Sequence, residues 1–134
     1  MFEVRVEAEF AAAHFLSDYH GKCEHLHGHN YRVFAHVRGA DLDRGGMLCD
    51  FSVLKRALRE VCAALDHTNL NDLACFAGNP SAERIAFYIY TELSRLLPGT
   101  AVAAVDVFET PSNRARFIPD EIARSSLSTE REND

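Results

Sequence analysis

The N-terminal part of the chain carries a two-residue alternation of apolar and polar side chains, which is typical of β-strands. From Phe2 to Phe10 the apolar residues take the even positions and the charged residues take the odd ones. Successive side chains of a strand point to opposite faces, so this pattern predicts a strand with one buried face. The same parity places His14 at the end of that face. A second alternating run, from His27 to Val37, predicts a partner strand.

A helix is predicted in the middle of the chain. Its expected N-cap is Asp50 or Ser52, and it should end near Asp66. Its apolar stripe has spacings of three and four residues and consists of Phe51, Leu54, Leu58, Val61 and Leu65.

A second helix is predicted to begin in the segment NPSAE. Either Asn79 is the cap with Pro80 as the first helical residue, or Ser81 is the cap. The helix should run to about Leu97, where a Pro-Gly pair follows. It is apolar on more than one face, so we expect it to be covered on two sides.

Two further strands are predicted after the helices. The first runs from Ala101 to Glu109, with Glu109 in the buried parity, and the second runs from Asn113 to Ile118 after a turn that begins at Pro111. The order β-β-α-α-β-β indicates an α+β fold, with a four-stranded antiparallel sheet and two helices packed on one face.

We expect one domain over residues 1–119. Residues 120–134 are charged, rich in serine and poor in apolar side chains, which predicts a polar, disordered tail.

The composition excludes several classes of function. A net charge of -6 argues against a nucleic-acid surface, and no apolar run approaches the ~18 residues that a membrane span requires. We find no secretory leader and no C-x-x-C pair, so we expect a cytoplasmic protein with reduced thiols. The cysteines are Cys23, Cys49, Cys62 and Cys75, of which we expect the last three to lie in the core.

Three histidines are candidate metal ligands. If the first two strands form a hairpin, His14 ends one strand where His27 and His29 begin the other, so the imidazoles converge. Three imidazoles favour Zn²⁺, and a fourth position left open is typical of catalytic zinc. The alternative is a set of hydrogen-bonded core histidines. His25 is a rival ligand by parity, whereas His36 has the opposite parity and should lie at the surface.

Other groups near these histidines could carry chemistry. Cys23 could be a fourth ligand, a buried apolar thiol, or a base or nucleophile whose pKa is lowered by Lys22 and a metal. Asp66 and His67 place a carboxylate beside an imidazole, which suits proton transfer but also occurs in helix caps. Glu109 could hold the N–H groups of a guanine-like ring, or it could form a salt bridge with Arg114 or Arg116.

Taken together, the motifs FAAAH, CEHLHGHNY, MLCDF, LDHTNLN, NPSAE and VFET resemble those of the 6-pyruvoyl- and 6-carboxy-tetrahydropterin synthase family, which has the tunnelling fold. The resemblance covers nearly all of residues 2–119. It implies that His14, His27 and His29 bind zinc. One departure is Ala82, where relatives often carry a hydroxyl that helps to hold the pterin.

The resemblance also assigns the remaining groups. It implies that Cys23 is the catalytic base, that Asp66 and His67 are its proton-transfer partners, and that Glu109 anchors the pterin ring. We further expect the substrate to contact a basic residue, a hydroxyl and a second carboxylate, namely Lys22, Ser81 and Glu83.

The implied substrate is 7,8-dihydroneopterin triphosphate. The compact length and short Cys-x-x-x-HGH loop favour the 6-carboxy branch, which releases acetaldehyde and triphosphate on the way to queuosine and related 7-deazapurines. The alternatives are a 6-pyruvoyl-tetrahydropterin synthase and a non-catalytic module that binds pterin or structural zinc. We expect a homo-oligomer, because the sheet has two edges to protect. The resemblance implies trimers that stack into a hexamer.

Overall fold

The computed structural model describes residues 1–17, 21 and 24–120. Its first two strands, β1 (Phe2–His14) and β2 (His27–Gly39), form the antiparallel hairpin that their alternation predicts. The register pairs Phe10 with Tyr31 and His14 with His27. The hairpin therefore holds the histidines of both strands at one end of the sheet.

Among the described residues, the sheet contains five strands rather than the four that the pattern predicts. Its order is β3-β1-β2-β4-β5, and the added strand, β3 (Thr68–Asn69), runs parallel to the end of β1. Two residues are too few to show an alternation, which is why the pattern did not reveal this strand. At the other edge, β4 (Val102–Thr110) and β5 (Asn113–Phe117) pair through the predicted short turn.

The first helix, α1 (Phe51–Leu65), begins after Asp50, whose side chain accepts a hydrogen bond from the Ser52 N–H at 2.8 Å. Its buried residues begin at Leu54, so the expectation that Phe51 belongs to the core stripe is wrong, and this ring is exposed in the first turn. The buried residues are Leu54, Ala57, Leu58, Val61, Cys62 and Leu65.

The second helix, α2 (Ala82–Leu96), has Ser81 as its N-cap, because the Ser81 hydroxyl accepts a hydrogen bond from the Arg84 N–H at 3.3 Å. Its buried face contains Ile85, Ala86, Ile89 and Leu93. We expect two sides of this helix to be covered, but within one chain only one side is. The ring centroid of Phe87 lies 5.0 Å from that of Phe117, yet Phe87 remains 53% exposed.

Both helices pack on the same face of the sheet, as an α+β arrangement requires, with α1 against β1 and α2 against β4 and β5. The opposite face contains a buried polar group that the parity argument placed at the surface. His36 is 5% exposed and lies 2.7 Å from the equally buried Asp106. His36 is covered locally by Glu3 and Asp106 of the two flanking strands, whereas Arg32 and Arg38 on the same face of β2 are exposed.

None of the helices in the described part of the chain is long and apolar enough to cross a membrane. The predicted tail begins at residue 120, and residues 121–134 lie outside the described ones. Two short 3-10 turns, Leu70–Asp72 and Ala74–Phe76, connect β3 to α2.

Candidate functional site

The structure brings the imidazoles of His14, His27 and His29 together at one end of the β1–β2 hairpin. Their ring centroids are 4.6 to 5.0 Å apart. One nitrogen atom from each ring can serve as a ligand, and these three atoms all lie within 4.8 Å of one another. His14 is almost fully buried, and the other two are partly buried. His25 is exposed and does not belong to this group, which leaves the three histidines as the candidate ligands.

The hydrogen bonds of two of these rings fix which nitrogens carry protons. Nδ1 of His14 lies 2.9 Å from the carbonyl oxygen of Pro80, and Nδ1 of His27 lies 2.7 Å from that of His25. Carbonyl oxygens only accept, so both Nδ1 atoms must be protonated and donate. In the neutral rings, each Nε2 then carries a lone pair and no proton.

These two Nε2 atoms face each other at 3.0 Å. Two lone pairs at that distance repel each other unless a proton or a metal ion lies between them. Nitrogen ligands at the usual ~2.0–2.1 Å from a tetrahedral zinc ion lie about 3.3 Å apart, so only a small adjustment is needed. Nε2 of His29 is buried and has no hydrogen-bond partner among the described residues. The three nitrogens therefore fit a metal ion.

Burial lowers the pKa of His29, although the nearby carboxylate of Glu109 opposes this effect. A lowered pKa favours the neutral imidazole, which is the form that binds metals. The electrostatic environment of His29 is thus compatible with its predicted role as a ligand.

Glu109 lies near the end of β4, beside the same group of imidazoles. Its two oxygens are 3.8 Å from Nε2 of His14 and 4.0 Å from Nε2 of His29. The alternative salt bridge with an arginine of β5 is wrong. Arg116 and Arg114 instead approach Asp106, at 2.6 and 3.8 Å, on the other face of the sheet.

Glu109 lines two cavities. One, of about 200 Å³, is also lined by Ser81 and Glu83, so three predicted substrate-binding residues share one cavity. The other, of about 420 Å³, is lined by His29 as well as Glu109. A ligand that contacts Glu109 can therefore extend toward the imidazoles.

Asp66 and His67 form a hydrogen-bonded pair after the end of α1. Nδ1 of His67 lies 2.7 Å from one oxygen of Asp66, and the other oxygen accepts a hydrogen bond from the Ala11 N–H at 2.8 Å. The Ala11 bond, followed by that from His67, lowers the pKa of the Asp66 carboxyl. The pair is therefore attached to β1 by the main chain.

The imidazole of His67 is 83% exposed, and its backbone has a φ of 57°. A non-glycine residue rarely adopts this left-handed conformation, and such strain is often found at functional sites. His67 lines a third, shallow hollow of about 500 Å³ that also touches His29, but it lines neither of the cavities at Glu109.

Sequence reasoning missed the groups that orient the site. The carbonyl oxygen of Pro80 and the N–H of Ala11 belong to the main chain, which leaves no signal in the sequence. Tyr31 could have been found by its parity with His29. It is fully buried, its ring centroid lies 5.4 Å from that of His29, and its hydroxyl has no partner among the described residues. Burial and then the Glu109 charge raise the pKa of this hydroxyl.

Cys23 and Lys22 lie outside the described residues, so their predicted roles stay predictions. Of the other three cysteines, Cys62 is buried, and burial raises the pKa of its thiol to about 12. Cys49 is half-buried. Cys75 is exposed, so its assignment to the core is wrong.

The site is a candidate metal centre, in which three imidazoles converge at one end of a sheet that two helices cover on one face. The sequence model for 6-pyruvoyl tetrahydropterin synthase matches residues 3–120. The chain belongs to this family of pterin synthases, and its α+β architecture is the tunnelling fold.

Individual relatives carry two different names. A 6-carboxy-5,6,7,8-tetrahydropterin synthase of Synechocystis sp. is 37% identical over 123 residues, which span 87% of this chain and 93% of the relative. The 6-pyruvoyl tetrahydrobiopterin synthase of Homo sapiens is 36% identical, spanning 83% of this chain and 87% of the relative. The solved structure of Caenorhabditis elegans 6-pyruvoyl tetrahydropterin synthase superposes with a TM-score of 0.78 at 30% identity, covering 88% and 95% of the two chains.

Proposed function

We propose that this chain is a zinc-dependent lyase that converts 7,8-dihydroneopterin triphosphate to 6-carboxy-5,6,7,8-tetrahydropterin, releasing acetaldehyde and triphosphate. The observation that carries this proposal is that Nε2 of His14 and Nε2 of His27 lie 3.0 Å apart, near the carboxylate of Glu109 that lines a cavity. The relatives named as 6-carboxy enzymes, from Synechocystis and Bacillus subtilis among others, support the choice of product. Such a product belongs to the synthesis of queuosine and related 7-deazapurines, in the cytoplasm.

His14, His27 and His29 would hold the zinc ion, which when bound supplies Lewis acidity toward the hydroxyls of the substrate side chain. Glu109 would bind the pterin ring, because a carboxylate can accept both an amino and a ring N–H. Ser81 and Glu83 line the same cavity and would contact the ring or its edge.

Three groups would move protons. Cys23 would be the base that removes a proton from the substrate side chain. Asp66 would hold Nδ1 of His67 by the 2.7 Å hydrogen bond, which leaves Nε2 free to take or give a proton. Lys22, the neighbour of Cys23, would favour the thiolate and attract the anionic substrate.

We also propose a homo-oligomer, a trimer or a hexamer. Two backbone edges of the described sheet are open, since β1 pairs with β3 only at Ala12 and Ala13, and β5 is an outer strand. Pairing between copies would protect both edges. The exposed His67 lies at the β1 edge, so a neighbouring copy could bring it to a second site.

The alternative product is a 6-pyruvoyl pterin, which the human relative's name favours. Mass analysis of the products from dihydroneopterin triphosphate tests both proposals. Acetaldehyde together with a carboxypterin supports the first, whereas a pyruvoyl pterin supports the alternative. Binding of the pterin without any turnover by the zinc-loaded protein would leave only the non-catalytic module.

A further inference from the structure

Glu109 is a half-buried carboxylate for which the described part of the chain supplies few partners. Its side chain is 23% exposed, and no donor among the described residues forms a hydrogen bond with it. A half-buried carboxylate is stabilised when a cation or several N–H donors face it. The proposed pterin would supply donors, but only while it is bound. In the resting protein, a cation beside the carboxylate would take their place.

The position of the carboxylate identifies that partner. One oxygen faces Nε2 of His14 at 3.8 Å and the other faces Nε2 of His29 at 4.0 Å. Both distances exceed that of a hydrogen bond. Ligand atoms around a tetrahedral zinc ion lie about 3.2–3.5 Å from one another, given bonds of ~2.0–2.2 Å. A movement of less than about 1 Å would thus place one oxygen among the ligands.

We propose that Glu109 occupies the fourth position at the metal when no substrate is bound, and that the N–H groups of the incoming ring draw it away. This inference rests on the proposed function. Under this proposal, binding of the ring, rather than of the triphosphate side chain, frees the fourth coordination position of the metal. A polyol phosphate without the heterocycle would not displace Glu109, so it could not reach the metal. Ring recognition and metal access are then coupled through one carboxylate, as in induced-fit selection.

Zinc affinity provides the first test. The dissociation constant of Zn²⁺ is measured by competition with a chromogenic chelator for the wild type, Glu109→Ala, Glu109→Gln and the control Glu83→Gln. Glu83 is the other carboxylate of the 200 Å³ cavity. We expect the Glu109 variants to bind zinc on the order of 10–100-fold more weakly, and Glu83→Gln to match the wild type. Unchanged affinity in Glu109→Gln, which preserves the side-chain shape, or an equal loss in Glu83→Gln, would overturn the inference.

A crystal structure of the zinc-loaded protein provides the second test. Without substrate, an oxygen of Glu109 should lie about 2.0–2.2 Å from the ion. A pterin that lacks the side chain should displace it when soaked in. Water in the fourth position with Glu109 turned away would refute the inference. Turnover by the wild type is measured separately. If the wild type turns over the substrate but the Glu109 variants bind zinc as tightly as the wild type, only this inference is refuted. If Glu109 binds the zinc ion but the wild type shows no turnover, only the proposed function is refuted.

Discussion

Asp106 is the centre of a buried ionic cluster on the sheet face opposite the helices. Its oxygens accept hydrogen bonds from Nε and Nη2 of Arg116, at 2.6 and 2.9 Å, and from Nε2 of His36 at 2.7 Å. Burial opposes ionisation of Asp106. The bonds from Arg116 and His36 outweigh burial and hold the pKa of this carboxyl below its usual value. The substitution Asp106→Asn preserves the shape of the side chain and removes its charge.

The expected loss of stability follows from this geometry. Breaking a buried ion pair by neutralising one partner costs about 3–5 kcal/mol, because the other charge is left without a partner. Asp106 is 3% exposed, but the Arg116 side chain is 28% exposed and can recover part of its hydration. We therefore expect Asp106→Asn to lower the free energy of unfolding by about 3 kcal/mol at pH 7, the lower end of this range. For a chain of this size that corresponds to a fall in Tm of about 10 °C.

The assay is urea unfolding followed by circular dichroism, with wild type and variant at the same protein concentration. A group with a depressed pKa stabilises the fold above its unfolded pKa, and that contribution is lost as pH falls through the folded value. The difference between the two proteins should therefore shrink as the pH falls below about 4. Glu92→Gln is the control, because its partner Arg95 is largely exposed, and it should cost less than about 1 kcal/mol. A loss in Asp106→Asn no larger than in this control would refute the reasoning.

Four further outcomes concern the site and the assembly. His27→Ala should lose most of its zinc by metal analysis while His25→Ala retains it, and the reverse result would overturn the ligand assignment. Cys23→Ala should slow the single-turnover rate without weakening substrate affinity, so a wild-type rate would exclude Cys23 as the base. At saturating zinc, Glu109→Ala should weaken pterin binding by about 2 kcal/mol or more, with Glu109→Gln in between. Unchanged pterin binding in Glu109→Ala would exclude Glu109 as the residue that anchors the ring. Light scattering should show a homo-oligomer at micromolar concentration, and a stable monomer would contradict that proposal.

The sequence predicted the parts of the fold that depend on long, regular patterns. The alternation of apolar and polar residues is repeated many times along the first two strands, so the hairpin and the convergence of His14, His27 and His29 at one end of it followed from the pattern. The convergence could be predicted because it is a property of strand geometry alone. The roles of these residues as ligands stay a prediction.

The errors arose where a position depends on its neighbours rather than on its own strand. Parity placed His36 on the face without helices, but parity could not show that it would pair with the buried Asp106 of the adjacent strand β4. The stripe of α1 included Phe51, although the packed part of the helix begins one turn later. The two-residue β3 depends on pairing with β1, which no short-range pattern records.

The proton positions at the histidine cluster are set by two main-chain oxygens, those of Pro80 and His25. No side-chain substitution can delete a carbonyl group, so these acceptors are insensitive to point mutation at their own positions as long as the backbone keeps its path. The tautomers of His14 and His27 thus depend on the backbone conformation of the segments that contain Pro80 and His25. Substitutions of the side chains around the cluster in this chain can therefore leave both imidazoles with the same nitrogen directed inward.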